Sequence, residues 1–180
     1  MYPESHDSLP TRCFKVEEMI PDDLKEVLEI EQLVFPTPWS KNLFLRELHS
    51  DLSKIILAKS DAFEKRRVLG YICIWLASGE VHILNLACHP NFRRCGIATS
   101  LLEHSLFFSF KRGVRKAFLD VRGSNKEALA LYKKYGFKQI GVRKGYYSDT
   151  REDAVVMVLE MESKTLLEKL FCKSQTINRE

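Results

Sequence analysis

The sequence predicts an α/β fold built around one mixed sheet, and three observations carry that reading. Strand-like and helix-like runs follow one another in the order β-α-α-β-β-β-α-β-α-β-β. A length of 180 residues suits a single domain that buries a core without disulfides or metal. The composition, 45% hydrophobic and 29% charged, is that of an ordinary globular protein.

Residues 1–12 read as a flexible polar leader, and residues 13–20 (CFKVEEMI) as a first strand. Pro21, Asp22 and Asp23 then open a helix, because proline and acids both favour a first turn. Leu24, Val27, Leu28 and Val34 give that helix an apolar face. FPTPWS (residues 35–40) breaks it, and Ser40 caps a second helix running to Leu48. Three strands follow at residues 54–58, 68–77 and 81–88, the last two joined by a tight turn at Ser78 and Gly79. A basic turn leads into a long amphipathic helix that stops at Gly113. KAFLDV (116–121) is a strand, and residues 125–135 form a helix closed by Gly136. Residues 137–142 and 154–161 read as a last strand pair joined by a long, aromatic, charged loop. Met157 and Met161 are core filler. The tail, residues 163–180, carries Leu166, Leu167, Leu170 and Phe171 at the spacing of a short helix.

Several function classes fall away. The formal net charge is +4, and the basic clusters at 65–67 and 111–116 read as a solvated loop and a helix end, so direct nucleic-acid binding is not expected. Cys13, Cys73, Cys88, Cys95 and Cys172 contain no CxxC pair, which fits reduced thiols and no metal site. The leader lacks the apolar stretch of a secretory signal, and no run of ~20 apolar residues is present to span a membrane. The expectation is a soluble, cytoplasmic protein.

The chemistry concentrates in RRCGIA (residues 93–98), between a strand and the long helix. A helix N-terminus offers unpaired N–H groups and the positive end of the macrodipole. Gly96 and Ala98 let an anion approach the backbone, and Arg93 and Arg94 add charge-assisted bonds. On these residues alone the stretch is either a phosphate-binding turn or a plain basic helix start. It is no Walker loop, because no GK[ST] follows, and GxGxxG is also absent.

R-x-x-G-x-A after a strand ending NLACHP resembles the acetyl-CoA pyrophosphate loop of the GNAT acetyltransferase superfamily. FPTPWS, LNLACHPNFRRCGIATSLLEH, LDVRGSNKEALALYKKYGF and RKGYYSDTREDAVVMVLEM are similar, in order, to the RimI family. RimI enzymes acetylate the N-terminal alanine of a small-subunit ribosomal protein, and close archaeal relatives act on many protein N-termini. The resemblance runs from about residue 14 to residue 161 and implies one acetyltransferase domain over residues 13–162. It also implies a mostly antiparallel sheet, splayed between its fourth and fifth strands, with helices on both faces. Acetyl-CoA is the expected co-substrate.

The resemblance implies roles for individual residues. Backbone groups of Leu86, Ala87 and Cys88 hold the pantetheine arm as a substitute strand. Arg93, Arg94, Cys95, Gly96, Ile97, Ala98 and Thr99 hold the pyrophosphate. Asn125 either binds pantetheine or caps its helix. Tyr132, seven residues on and on the same helix face, is either the general acid for the departing thiolate or a core aromatic; the resemblance favours the acid. Asp120 stands where RimI-like enzymes commonly carry Glu, so its shorter side chain shares the candidacy for general base with His82. Pro38 and Trp39 in the first loop, and Tyr146 and Tyr147 in the second, are the candidate peptide contacts. Trp39 is alternatively a helix-start anchor, and Glu152 and Asp153 either structure the second loop or attract a basic peptide.

Substrate chemistry agrees with an N-terminus. Holding an α-amine of pKa ≈ 7.7–8.0 neutral at pH 7 costs only about 1 kcal/mol, whereas a lysine amine near 10.4 costs about 4.6 kcal/mol. A weak, water-relayed base suffices for the first. The alternatives are acetylation of a lysine or small amine, and a non-catalytic acyl-CoA-binding protein.

Overall fold

The computed structural model describes residues 14–60 and 66–161; the expected leader and tail lie outside the described residues. β1 (Phe14–Glu18) is followed by a 3-10 turn at Pro21–Asp23 and by α1 (Leu24–Val34). Ser40 caps α2 (Lys41–Leu48), its hydroxyl accepting the Leu43 amide at 3.3 Å. β2 (Ser53–Ser60), β3 (Arg67–Ala77) and β4 (Glu80–Cys88) form a meander. Ser78 and Gly79 turn β3 into β4 with φ of 52° and 77°, the left-handed pair that matches strand twist. α3 (Ile97–Lys111), β5 (Lys116–Arg122), α4 (Lys126–Lys134), β6 (Lys138–Tyr147) and β7 (Glu152–Glu160) complete the order.

The seven strands run β1-β2-β3-β4-β5-β7-β6 across one sheet. Every neighbouring pair is antiparallel except β4 and β5, which are parallel because α3 carries the chain across. That parallel pair is short. It runs from Glu80↔Lys116 to Ile83↔Leu119 and ends there. Beyond it, β4 stays with β3 and β5 stays with β7, so the sheet opens as expected.

A bulge drives the opening. Cys73 faces Asn85 and Ile74 faces Ile83, which leaves Leu84 as an extra residue in β4. The bulge also resets which side chains face which helices. Val81, Ile83, Leu86 and Cys88 pack on the α3 side; Asn85 and Ala87 turn to α1 and the core beside it.

Each face of the sheet has its own core. Ile97, Leu101, Leu102 and Leu106 of α3 and Tyr132 of α4 cover one; Val27 and Ile30 of α1 with Phe44 of α2 cover the other. Burying each such aliphatic side chain contributes about 1.5–3 kcal/mol. Gly70 matters to this seating, because a Cβ there would lie 2.7 Å from the Ala87 carbonyl and 2.9 Å from Ile97. Only a glycine lets the start of α3 come down onto β3 and β4. Met157 and Met161 are fully buried, as expected.

One expectation fails. The long loop between the last two strands is mostly strand: β6 continues to Tyr147, and four residues turn the chain into β7. β6 is the sheet edge, so most of it is exposed and shows no apolar alternation. A register break between Arg143 and Tyr147, with Gly145 at φ 59°, lets the strand absorb its extra residues.

Candidate active site

α3 begins without a side-chain cap, since its N-cap residue is Gly96 at φ 79°. Its first intrahelical bond runs from Ser100 to Gly96, which leaves the amides of Ile97, Ala98 and Thr99 for other acceptors. Ala98 donates to the Cys88 sulfur, and burial pushes that thiol up to about 11 despite this bond. Arg94 also lies at positive φ (65°), so the loop curls tightly before the helix. A Cβ on Gly96 would meet no atom within 4 Å. The open space it faces suits a phosphate, which needs donors on one side and room on the other.

That loop ends a cleft of about 700 Å³. Leu86, Ala87 and Cys88 of β4 line one wall, and Asn125, Ala128, Leu131 and Tyr132 line the other. Arg93, Arg94, Gly96, Ile97, Ala98 and Thr99 close the end. Cys95 is the exception: its thiol turns back to the Arg93 carbonyl at 3.5 Å and is absent from the lining. Asn125 does cap α4, accepting the Ala128 amide at 3.1 Å, and it borders the cleft as well. Past Ile83, the edge of β4 that faces β5 has no strand partner among the described residues. A linear chain with amide groups can pair with it as a missing strand would.

Tyr132 is at once part of the core and part of the cleft wall. It is a core aromatic, 6% exposed, with its ring centroid 5.5 Å from that of Phe137. It also lines the cleft, and its hydroxyl has no hydrogen-bond partner among the described residues. Burial, then the neighbouring Tyr147 and Cys88, raise its pKa well above the ordinary phenol value. The proton is therefore held throughout the neutral range.

Asp120 is the first residue of β5 beyond the closed part of the sheet. It shares the face of Phe118, opposite Leu119 and Val121, which pack on the α3–α4 core. Arg143 Nε lies 3.4 Å from its Oδ1, an ion-pair distance without hydrogen-bond alignment. His82 lies farther back. It pairs with Phe118 inside the closed region and stacks on that ring, centroids 5.3 Å apart at 17°. Phe118 and Asp120 are two strand positions apart, roughly 7 Å. His82 Nε2 also faces Glu80, at 3.6 Å.

Of the two candidate peptide loops, the second reaches Asp120. Tyr147 points inward, its hydroxyl 3.5 Å from the Asp120 carbonyl, while Tyr146 is half exposed. Trp39 is an anchor: its ring packs 5.4 Å from Phe44, and its amide donates to Glu31 at 2.8 Å. Pro38, beside it, is exposed.

Sequence reasoning missed two residues here. Arg122 lies 3.9 Å over the Tyr147 ring and donates to Asp149 at 2.6 Å, Thr150 at 2.9 Å and Glu152 at 3.5 Å. Glu152 accepts the Ser124 amide at 2.6 Å, and Asp149 also takes a hydrogen bond from Thr37 in the first loop. Asp153 holds Lys144 at 2.6 Å and the Gly145 amide at 2.9 Å. Both Glu152 and Asp153 thus structure the hairpin. The other missed residue is Glu31, buried behind the first loop.

This cluster predicts a pH effect. The Arg122 hydrogen bond holds Asp149 below the usual carboxylate range, and the Ser124 amide does the same first for Glu152. Depressed carboxylates contribute stability above their unfolded values, about 3.9 and 4.3, and lose it as pH falls through the lower folded ones. Arg122→Met should therefore flatten the loss of stability between about pH 5 and pH 3. Urea midpoints over that range check this; slopes equal to wild type contradict it.

A cleft with helix-start amides at one end, an open strand edge along it and a buried phenol beside it suits transfer of a group carried on a long phosphorylated arm. Comparison with known proteins agrees. A profile of the Acetyltransferase (GNAT) family matches residues 24–137, and the chain belongs to that family. It is an acetyl-CoA-dependent N-acetyltransferase. The [ribosomal protein bS18]-alanine N-acetyltransferase of Escherichia coli K12 is 32% identical over 139 residues, covering 76% of this chain and 90% of that protein. The crystal structure of the ribosomal-protein-S18-alanine N-acetyltransferase from Escherichia coli superposes with a TM-score of 0.75 at 29% identity, over 83% of this chain and 95% of that one. Ard1 from Thermoplasma volcanium superposes at 0.77 and 26% identity, over 84% of this chain and all of that one. None of the helices among the described residues is long and apolar enough to cross a membrane.

Proposed function

We propose that this chain acetylates the α-amino group of a protein N-terminus, with the N-terminal alanine of ribosomal protein bS18 as its natural substrate. The observation that carries the reading is the opening of β4 from β5 after Ile83 and Leu119, with Tyr132 and Asp120 at the open part. The likeness to the Escherichia coli enzyme supports the choice of substrate. Residues 13–162 then act as one catalytic domain, working in the cytoplasm where ribosomal proteins are made.

In this reading the amides of residues 94–99, with Arg93, hold the pyrophosphate, and Leu86, Ala87 and Cys88 pair with pantetheine. Asn125 borders the arm while capping α4. The peptide enters over Pro38, Trp39, Tyr146 and Tyr147. Its neutral amine attacks the thioester carbonyl carbon, forming C–N; the C–S bond then breaks and the electron pair goes to sulfur. Tyr132 donates its hydroxyl proton to that sulfur. The proton lost by the amine passes to Asp120 directly or through water, and His82 stands in reserve.

Geometry favours Asp120 over His82, because only Asp120 lies beyond the closed sheet. Asp120→Asn should lower kcat/KM for the peptide by about 10²-fold, within the range of general acid–base groups. Asp120→Glu should keep or raise it. His82→Gln should change it little and leave the limb of the pH profile that belongs to the amine, near 7.7–8.0. A sharp fall in Asp120→Glu with folding unchanged would make the carboxylate structural and His82 the base.

Release of free CoA thiol tests the function itself. An alanine-initiated peptide should give turnover, and its N-acetylated form none. Thiol release only with lysine or polyamine acceptors would favour the alternative amine; none with any acceptor would leave an acyl-CoA-binding protein.

A further inference from the structure

Glu31 is a carboxylate 1% exposed, in a helix whose other buried residues are apolar. Three donors surround it. Its Oε1 accepts the Trp39 amide at 2.8 Å, its Oε2 accepts the Tyr71 hydroxyl, and Asn85 Nδ2 lies 3.3 and 3.2 Å from the two oxygens. Asn85 also donates to the Tyr71 oxygen at 2.9 Å, closing the network. Burial raises the Glu31 pKa, and the three donors oppose that rise.

The partners come from separate elements. Trp39 ends the first loop, Tyr71 lies in β3, and Asn85 follows the bulge at Leu84, where β4 leaves β5. One carboxylate therefore ties the loop on the acceptor side to the segment of β4 on the donor side. Stability alone gives a weak reason for such a network, since apolar replacements of buried charges are often neutral or stabilising. A fully satisfied polar network does fix geometry, because its bonds are directional.

We propose that Glu31 is a positioning residue that fixes the peptide-receiving loop against the bulged end of β4, and so sets the approach of the acceptor amine to the acetyl group. The inference rests on the acetyltransferase reading above and, Trp39 aside, names residues that reading does not use. Glu31 touches no substrate.

The network makes a partner-swap test possible. Glu31→Gln turns one acceptor oxygen into an NH2 group, which then faces a donor: Asn85 Nδ2 or the Trp39 amide. Asn85→Asp in the same chain restores the match, with the introduced glutamine amide as the donor and the introduced carboxylate as the acceptor. Steady-state kinetics on wild type, both single variants and the double variant are run over peptide and over acetyl-CoA, with melting temperatures alongside. Each single variant should lose kcat/KM for the peptide by about tenfold or more, a coupling within the range for neighbours in one network. Acetyl-CoA affinity by calorimetry should stay within about twofold, because no residue of the turn before α3 takes part in the network. The double variant should recover most of the peptide kcat/KM. Tyr71→Phe, which removes only a hydroxyl, should show a smaller loss of the same kind and covers the case in which Glu31→Gln does not fold.

Wild-type kcat/KM in Glu31→Gln, or in Tyr71→Phe if the first does not fold, overturns the proposal. So does a double variant that recovers its melting temperature but not its peptide kcat/KM. The wild-type control separates the two claims. Failure of wild type on alanine-initiated peptides counts against the functional reading alone, and the variants are then compared on whichever amine wild type acetylates. Acetylation of no amine by wild type overturns both.

Discussion

Tyr132→Phe is expected to lower kcat by about 10²–10⁴-fold, the usual contribution of a general acid–base group. Binding should survive, because the ring keeps its packing against Phe137 and its place in the cleft wall. Folding should survive too. The hydroxyl has no hydrogen-bond partner among the described residues, so its removal forfeits no internal bond. The raised pKa of Tyr132 adds a second expectation: no limb of the wild-type pH profile near neutrality belongs to this residue. Pre-steady-state measurement of CoA release, with acetyl-CoA affinity by calorimetry, checks both. Turnover at the wild-type rate would leave Tyr132 as a core aromatic.

Gly96→Val should weaken acetyl-CoA by about 10²-fold, equivalent to losing two charge-assisted hydrogen bonds at ~1.5 kcal/mol each. Two effects act together there. The open space beyond the missing Cβ is filled by a branched side chain, and φ of 79° is unfavourable for any L-residue. The second effect costs about 1–2 kcal/mol of stability. Gly96→Ala separates them, because alanine carries the same backbone strain with far less volume. Calorimetry should find acetyl-CoA much weaker in Gly96→Val than in Gly96→Ala, although their melting temperatures fall alike. Unchanged affinity in both would remove the pyrophosphate assignment.

Most elements were legible from period and punctuation. Ser40 caps α2, Gly113 and Gly136 follow α3 and α4 with φ of 84° and 89°, and the tight turn lies at Ser78 and Gly79. β6 runs beyond what its sequence pattern shows because it is an edge strand, most of it exposed, and an edge has no buried side to impose alternation. The bulge at Leu84 did leave a signal. Apolar residues facing α3 fall at 81 and 83 and then at 86 and 88, a shift by one.

The site was legible where motifs carry it and hidden where packing does. The turn before α3, Asn125 and Tyr132 share one cleft wall or end, as the sequence implied, while Cys95 turns away. His82 and Asp120 share a sheet face, yet only the pairing register separates them along the opening. Glu31 left its own trace: it falls on the stripe of Leu24, Val27, Leu28 and Val34, where a lone acid calls for buried partners. Those partners come from β3, β4 and the loop, 8 to 54 residues away in sequence, and no local pattern announces them.

Mass mapping of the acetylated atom tests the central claim most directly. A peptide that begins with alanine and carries an internal lysine offers both amines to the enzyme and acetyl-CoA at once. Acetyl should appear on the α-amine, with the lysine unmodified, because only the α-amine is easily neutral at pH 7. Acetyl on the lysine alone would contradict the account.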